Sequence, residues 1–175
     1  YPVFLMKVLC FALFACAFNL LLGYAGLLSF GHAAFLATGG YITGYLLASH
    51  PGLTPELGIL AGTLVAVAMG AVFGALSIRR QGIYFAMVTL ALSQLVYFLY
   101  LQSPFTGGED GLHGVPRGEL FGVISLRSNL AMYYFVFAVF LIGFAIIQRA
   151  VHSPYGQVLK AIRENEPRAI SLGYN

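Results

Sequence analysis

Four long stretches of the chain contain no charged side chain, and they cover residues 8–55, 57–78, 81–108 and 128–148. A helix needs roughly 20 apolar residues to cross the hydrocarbon of a bilayer. Each stretch meets or exceeds that length, and the first is long enough for two crossings. Charged residues make up only 9% of the sequence and hydrophobic ones 59%, whereas about a quarter of a soluble domain is charged. The sequence therefore predicts a membrane protein.

The spans must be helical, because hydrocarbon offers the backbone no hydrogen-bond partner and a helix pairs its polar groups within itself. The charge-free stretches predict five helical spans, at 4–22, 33–49, 57–78, 83–101 and 129–149. We expect an all-α, polytopic helix bundle over residues 1–149 and a separate, more highly charged segment over 150–175.

The distribution of cations indicates which side of the membrane faces the cytoplasm. Arg79 and Arg80 follow the third span, and a second group of cations follows the fifth, so both groups lie on one side. Cytoplasmic loops carry an excess of Lys and Arg, which assigns that side to the cytoplasm. The acidic loop over 102–127 then faces outward. Lys7 also faces outward, which is an exception to the excess of cations on the cytoplasmic side. The net charge of +3 reflects this orientation, and we expect membrane lipid but no nucleic acid as a partner.

The third span carries a small residue at every fourth position. Such a stripe lets a second helix approach closely, backbone to backbone. We interpret it as a helix-packing seam rather than a ligand site. Its members are Gly58, Gly62, Ala66, Gly70 and Gly74.

Two further regions are candidates for a translocation path. In the fourth span, hydroxyl side chains recur at helical spacing with an amide beside them, which indicates either interhelical hydrogen bonding or the lining of a path. Between the first two spans, glycines indicate a tight hairpin or a broken helix, and a histidine follows them. The candidate path residues are Asn19, Gly23, Gly26, Ser29, His32, Thr89, Ser93, Gln94 and Tyr97.

The sequence carries no motif for chemistry. It lacks a phosphate-binding GxxxxGK[ST] loop, an HExxH zinc motif and a GxSxG nucleophile motif, and its four histidines are widely scattered. We therefore predict no catalytic residue, no metal site and no cofactor, and we do not expect the chain to be an enzyme.

The closing segment has the pattern of two short helices. Ser153 and Pro154 favour a helix start, and Tyr155, Val158, Leu159 and Ile162 form an apolar stripe on the helix that follows. A second helix is predicted from Pro167, with Glu166 as its cap and Gly173 as its end. Such a pair either docks on a partner in the cytoplasm or lies on the lipid interface.

Four segments together resemble a known family. "NLLLGYAGLLSFGHAAF", "GIYFAMVTLAL", "TGGEDGLHGVP" and "SPYGQVLKAIRENEPRAISLGYN" are similar, in order and spacing, to the permease subunits of bacterial ATP-binding-cassette importers for branched-chain amino acids. The resemblance implies a multi-pass subunit of the bacterial inner membrane. It also implies three kinds of protein partner: a second permease subunit, two cytoplasmic ATP-binding subunits and a periplasmic solute-binding protein. Because such permeases have further spans, the chain is expected to be a fragment.

The resemblance also implies a role for the closing segment, since a cytoplasmic loop of such permeases inserts into the ATPase. In that family the loop often carries a Glu-Ala-Ala…Gly signature. Ala169 and Gly173 keep the spacing of its last Ala and its Gly, whereas Pro167 stands where the signature has Glu. The residues expected to couple the permease to the ATPase are Tyr155, Gly156, Val158, Leu159, Ile162, Arg163, Glu164, Ala169 and Gly173.

The function expected on these grounds is ATP-driven import of branched-chain amino acids or related small solutes such as urea and amides. A secondary transporter or channel is the alternative. Ion-coupled carriers commonly place an acid or base within a span, and these spans hold none beyond Lys7. A membrane-embedded enzyme would have only His32 as a base.

Overall fold

The computed structural model describes residues 1–50, 52–79, 82–120, 122, 124–171 and 173. The first helix, α1, continues into a π-helical turn over Leu20–Ala25, and a short antiparallel hairpin of strands β1 and β2 stands between the fourth and fifth helices. The elements are α1 Pro2–Asn19, α2 His32–Ser49, α3 Pro55–Ser77, α4 Ile83–Gln102, β1 Glu119–Leu120, β2 Ile124–Ser125, α5 Asn129–Val151, α6 Pro154–Glu164 and α7 Glu166–Ser171.

The predicted helical class is confirmed, and the hairpin is a small addition to it. Among the described residues, four helices are long and apolar enough to cross a membrane: Pro2–Ala25, Pro55–Ser77, Ile83–Gln102 and Asn129–Val151. The remaining predicted span forms α2, an 18-residue helix that contains three glycines and two threonines, and its passage across the bilayer stays a prediction.

The chain divides into two compact units. The central unit is Phe30–Met132 and contains α2, α3 and α4. The terminal unit consists of Tyr1–Ser29 and Tyr133–Asn175, and it holds α1, the π-helical turn, most of α5, and the pair α6 and α7.

In the central unit, α2 and α3 approach closely at Gly62. A Cβ atom added there would collide with Thr43 Oγ1 and lie 2.6 Å from the Gly39 carbonyl oxygen. The Thr43 hydroxyl donates to the Gly58 carbonyl oxygen at 3.1 Å, so the contact combines close packing with a hydrogen bond.

The rest of the glycine stripe is more open. Among the described residues, a Cβ atom at Gly70 would meet only Phe35 Cε1 at 4.0 Å, and one at Gly74 would meet nothing within 4 Å. The first half of the stripe therefore contacts α2, whereas a helix partner for the second half stays a prediction.

The core of the central unit joins its three long helices. Ala34 of α2, Phe73 of α3 and Val96 of α4 form a buried cluster. The Tyr100 hydroxyl donates to Thr38 Oγ1 at 2.7 Å, and Thr38 Oγ1 donates to the Ala34 carbonyl oxygen at 2.7 Å. This chain of hydrogen bonds ties the last turn of α4 to α2.

In the terminal unit, α5 and α6 meet at a tight corner. A Cβ atom added at Gly156 would collide with the Val151 carbonyl oxygen and lie 2.9 Å from that of Ala150. Ser153 occupies the N-cap position of α6, but its hydroxyl donates to the Ala150 carbonyl oxygen at 2.7 Å instead of capping α6. The corner therefore depends on the absence of a side chain at residue 156.

The last helix begins one residue earlier than predicted. Because α7 spans Glu166–Ser171, the residue before its first turn is Asn165 rather than Glu166, and the Asn165 carbonyl accepts the Ala169 N–H at 3.0 Å. Gly173 follows with a φ of 90°, a left-handed conformation that ends the helix without strain because glycine has no Cβ atom.

Gly62→Ala should destabilise the protein by about 1–3 kcal/mol, as is typical of overpacking a close contact. The matched control is Gly74→Ala on the same helix, where an added methyl group meets no described atom within 4 Å and the alanine should stabilise the helix by up to about 1 kcal/mol. Thermal unfolding of the purified permease measures the difference. Equal midpoints for the two variants would contradict the close contact at Gly62.

Candidate functional site

A cavity of about 310 Å³ lies between α2 and α4 in the central unit. The α2 wall is made of alanines and one tyrosine, while α4 supplies hydroxyl and amide groups. Both walls follow from helical spacing, because residues three or four apart share one face of a helix. The lining residues are Ala33, Ala34, Ala37, Tyr41, Ser93, Gln94, Val96, Tyr97, Tyr100, Leu101 and Gly108.

Three of the predicted path residues, Ser93, Gln94 and Tyr97, line this cavity together. The Gln94 amide is exposed and has no hydrogen-bond partner among the described residues. An unpaired amide in hydrocarbon costs several kcal/mol, on the order of 2–7. If α4 crosses the membrane as predicted, this face of the helix requires water, a solute or another protein against it.

Thr89 belongs to the predicted row of hydroxyl side chains on α4, but it does not line the cavity. Its side chain is only 3% exposed, and its hydroxyl accepts the Phe30 N–H at 3.2 Å and donates to the Ala86 carbonyl oxygen at 3.0 Å. Thr89 thus holds the segment that precedes α2. His32 also lies outside the cavity lining, with its ring edge-on to Phe35 at a centroid distance of 6.1 Å.

Tyr41 lines the cavity, although it is not among the path residues predicted from the sequence. It lies on α2 four residues after Ala37 and eight after Ala33, so the spacing of these three residues was a signal that could have found it. Tyr41 and Ala37 also line a neighbouring depression of about 390 Å³, which is bounded by Gly111, Leu112 and Val115. The two spaces therefore extend from the polar face of α4 to the loop that is predicted to face outward.

The remaining path residues belong to the terminal unit. Asn19 packs over Gly23, where an added Cβ atom would lie 2.7 Å from Asn19 Oδ1. Gly26 ends the π-helical turn in a left-handed conformation, with φ 72°, and Ser29 is buried. The region is therefore a broken helix end rather than a hairpin of two regular helices.

A smaller cavity of about 110 Å³ lies beside this π-helical turn, between α1 and α5. Two amide side chains, Asn19 and Gln148, contribute to its lining together with apolar groups. The other lining residues are Cys16, Leu20, Tyr24, Phe144, Ile147 and Val151.

The α6 helix has two different faces. On its apolar stripe, Tyr155 is 62% exposed and Ile162 is 37% exposed, while Val158 and Leu159 are half-buried. To one side of Tyr155 and Ile162, Arg163 Nη1 donates to the Gly23 carbonyl oxygen and Lys160 Nζ lies 5.1 Å from the centre of the Tyr24 ring.

The predicted coupling residues thus differ in their environment: some are buried, some are exposed, and one contacts the π-helical turn. Gly156 and Ala169 are buried packing residues, with Ala169 only 2% exposed. Glu164 is exposed at the end of α6. Arg163 contacts the π-helical turn, and nothing in its sequence context signalled this contact.

Among the described residues, no group of three or more His, Cys, Asp or Glu side chains is placed to hold a metal ion. None of the described residues that line the cavity between α2 and α4 carries a charged side chain. The site can therefore offer hydrogen bonds and apolar contact to a small molecule.

Comparison with known proteins gives the family. The family described as "Branched-chain amino acid transport system / permease component" matches residues 3–175. A high-affinity branched-chain amino acid transport system permease protein LivM of Escherichia coli (strain K12) is 30% identical, and its counterpart in Salmonella typhimurium (strain LT2) is 29% identical; both matches cover 89% of this chain and 42% of the relative.

A third relative comes from an archaeon. A probable branched-chain amino acid transport permease protein LivM of Methanocaldococcus jannaschii is 26% identical, over 89% of this chain and 54% of the relative. No solved structure matches the chain significantly. The chain spans about half the length, or less, of these relatives. With a family match over nearly every residue, the chain belongs to the branched-chain amino acid transport permease family.

Proposed function

We propose that this chain is part of the membrane permease subunit of an ATP-driven importer for branched-chain amino acids or related small solutes, in a bacterial inner membrane. The observation that carries the proposal is the cavity between α2 and α4, with an exposed amide and hydroxyls on a membrane helix. The similarity to LivM permeases supports it.

The chemistry of the cavity suits a small solute without net charge. Hydroxyl and amide groups both donate and accept hydrogen bonds, so Ser93, Gln94 and Tyr97 suit carboxylate, ammonium or amide groups of a passing solute. Alanines on the opposite wall leave room for an apolar side chain. Because the described lining residues carry no charge, a solute with a net charge would lose its hydration without a compensating ion pair from them.

ATP hydrolysis is assigned to a separate partner that meets α6. The exposed Tyr155 and Ile162 lie seven residues apart, on one face of α6. Burial of such apolar groups stabilises a protein contact by roughly 25 cal/mol per Å² before association costs. We assign this face to a groove on a cytoplasmic ATP-binding subunit, and the loop over 102–127 to a periplasmic solute-binding protein.

A second permease subunit is assigned to the open parts of the membrane region. Gly70 and Gly74 leave space for a helix, and Tyr97 is 57% exposed beside Gln94. A partner at these positions would cover polar and small-residue surface that lipid solvates poorly.

Filling the cavity should reduce uptake without unfolding the permease. Ala37→Leu places a branched side chain in the cavity opposite Ser93 and Gln94, and we expect uptake of labelled leucine to fall at least about tenfold, which equals about 1.4 kcal/mol. The matched control is Ala91→Leu, at an exposed position of α4 outside the cavity lining. Uptake is measured in proteoliposomes that contain the complete transporter. Equal uptake by both variants would remove the cavity from the path.

Placing a charge on the exposed stripe of α6 should release the ATPase. Ile162→Asp puts a carboxylate in the proposed apolar contact, and we expect copurification of the ATP-binding subunit to drop at least about tenfold. Gln157→Asp is the control, because residue 157 is exposed on the opposite side of α6 from Tyr155. Normal copurification with Ile162→Asp would rule out this face as the contact.

The orientation can be tested by labelling single cysteines in a permease from which Cys10, Cys16 and any other cysteines have been removed. Glu109 and Arg79 are both exposed and lie on opposite sides of the predicted topology. An impermeant thiol reagent added outside should label Glu109→Cys in intact cells and Arg79→Cys only after lysis. The reverse pattern would overturn the orientation.

A further inference from the structure

We infer that Arg163 is a positioning residue that ties α6 to the π-helical turn at the end of α1, so that movement of α6 reaches a membrane helix through this contact. The inference rests on the proposed function in one respect, since it takes an ATPase as the source of that movement. The contact itself lies within the terminal unit and involves only residues of this chain.

The first element of the link is a hydrogen bond to a free helix end. Gly23 lies in the last turn before Gly26, where backbone carbonyls have no onward helical donor. Arg163 Nη1 donates to the Gly23 carbonyl oxygen. A hydrogen bond from a guanidinium is stronger than one between neutral groups, so Arg163 acts as a cap supplied from a distant part of the chain.

The second element is the fit of Gly26 against the stem of Arg163. Gly26 has φ 72°, and a Cβ atom added there would lie 2.8 Å from Arg163 Cγ and 3.3 Å from Arg163 Cδ. Residue 26 therefore favours glycine for two reasons. Its backbone is left-handed, and the Arg163 side chain approaches too closely for a Cβ atom.

The third element is Lys160, one turn before Arg163 on the same face. Its ammonium group lies over the Tyr24 ring, at 5.1 Å from the centroid, within the range of a cation–π interaction. Two cations of α6 thus hold two consecutive residues of the turn, Gly23 and Tyr24.

These contacts lie to one side of the exposed residues Tyr155 and Ile162. At about 100° per residue, Lys160 and Arg163 lie roughly a quarter turn or more around the helix from Tyr155 and Ile162. A partner can therefore contact the stripe while the cations remain bound to the π-helical turn.

The start of α6 is also fixed, through the corner at Gly156, to the end of α5. The helix is therefore attached to α5 at its first turn and to the end of α1 at its last. A π-helical turn is a local widening that occurs frequently at functional sites. We place the deformable point at Leu20–Ala25, where a displacement of α6 would change the path of the chain between α1 and α2.

Removal of the arginine should uncouple hydrolysis from uptake while the ATPase stays bound. In the complete transporter, Arg163→Ala should lower leucine uptake per ATP hydrolysed at least about tenfold, and Arg163→Lys, which retains a donor, should restore part of the ratio. Arg149→Ala is the control, an exposed cation of the last turn of α5. A normal ratio with Arg163→Ala overturns the inference.

The same variants distinguish this inference from the proposed function. Release of the ATPase by Arg163→Ala would place the arginine in the docking contact, which overturns the link and leaves the proposed function standing. Uncoupling by Arg163→Ala together with normal ATPase binding by Ile162→Asp would support the link and remove the proposed docking face.

A covalent replacement of the contact separates positioning from general stability. Tyr24→Cys and Lys160→Cys, joined by a short bismaleimide in the Arg163→Ala protein without other cysteines, should restore coupling because the crosslink takes over the link. If the crosslink forms and the uptake ratio stays low, the inference is wrong.

The fit of Gly26 provides an independent check by thermal unfolding. Gly26→Ala should lower the midpoint more than Gly114→Ala, since Gly114 has a closely matched φ of 71° but nothing within 4 Å of an added Cβ. This additional loss of stability should disappear when Gly26→Ala is combined with Arg163→Ala. In that double variant only the Cβ atom of residue 163 remains, and at 3.6 Å from the added atom it makes an ordinary contact. An excess that persists would contradict the contact between Gly26 and Arg163.

Discussion

The structure depends on one property of hydrocarbon, its inability to form hydrogen bonds. A polar side chain in a membrane helix must find a partner inside the protein or face a wet space. Thr38 donates to a carbonyl of its own helix and accepts from Tyr100, and Thr43 donates to Gly58 on the neighbouring helix. Gln94 has no such partner among the described residues. This difference distinguishes hydroxyls that hold helices together from groups that can meet a solute.

Small residues serve two purposes in the central unit. At Gly62 the absence of a side chain allows α3 to approach Gly39 and Thr43 of α2. At Ala33 and Ala37 the small side chains instead leave space, and that space is the cavity opposite α4. Close approach on one face of α2 and a gap on another are both consequences of small residues at helical spacing, and only the position of the neighbouring helix decides between them.

This dependence on neighbours explains which features could be predicted from the sequence. The spans follow from charge-free length, so predictions such as 83–101 lie within a residue or two of the observed helix Ile83–Gln102. Thr89 and Ser93 have the same spacing, yet Thr89 is buried against Phe30 and Ser93 lines the cavity. The π-helical turn was not predicted either, and its hydrogen bond with Arg163 joins residues 140 positions apart in the sequence. Spacing within one helix gives the relative direction of side chains but not what each of them meets.

Two cations of α6 already contact other residues of the chain, which limits their role in binding a partner. Lys160 and Arg163 contact the chain's own Tyr24 and Gly23, so they contribute little to a contact made through Tyr155 and Ile162. Exposed charges mainly affect association rate and salt dependence, whereas buried apolar area provides most of the affinity. A partner that docks on α6 as proposed would therefore be held by apolar contact, with an affinity that depends weakly on ionic strength. The two cations are then free to maintain the link between α6 and the membrane helix throughout a cycle of partner movement.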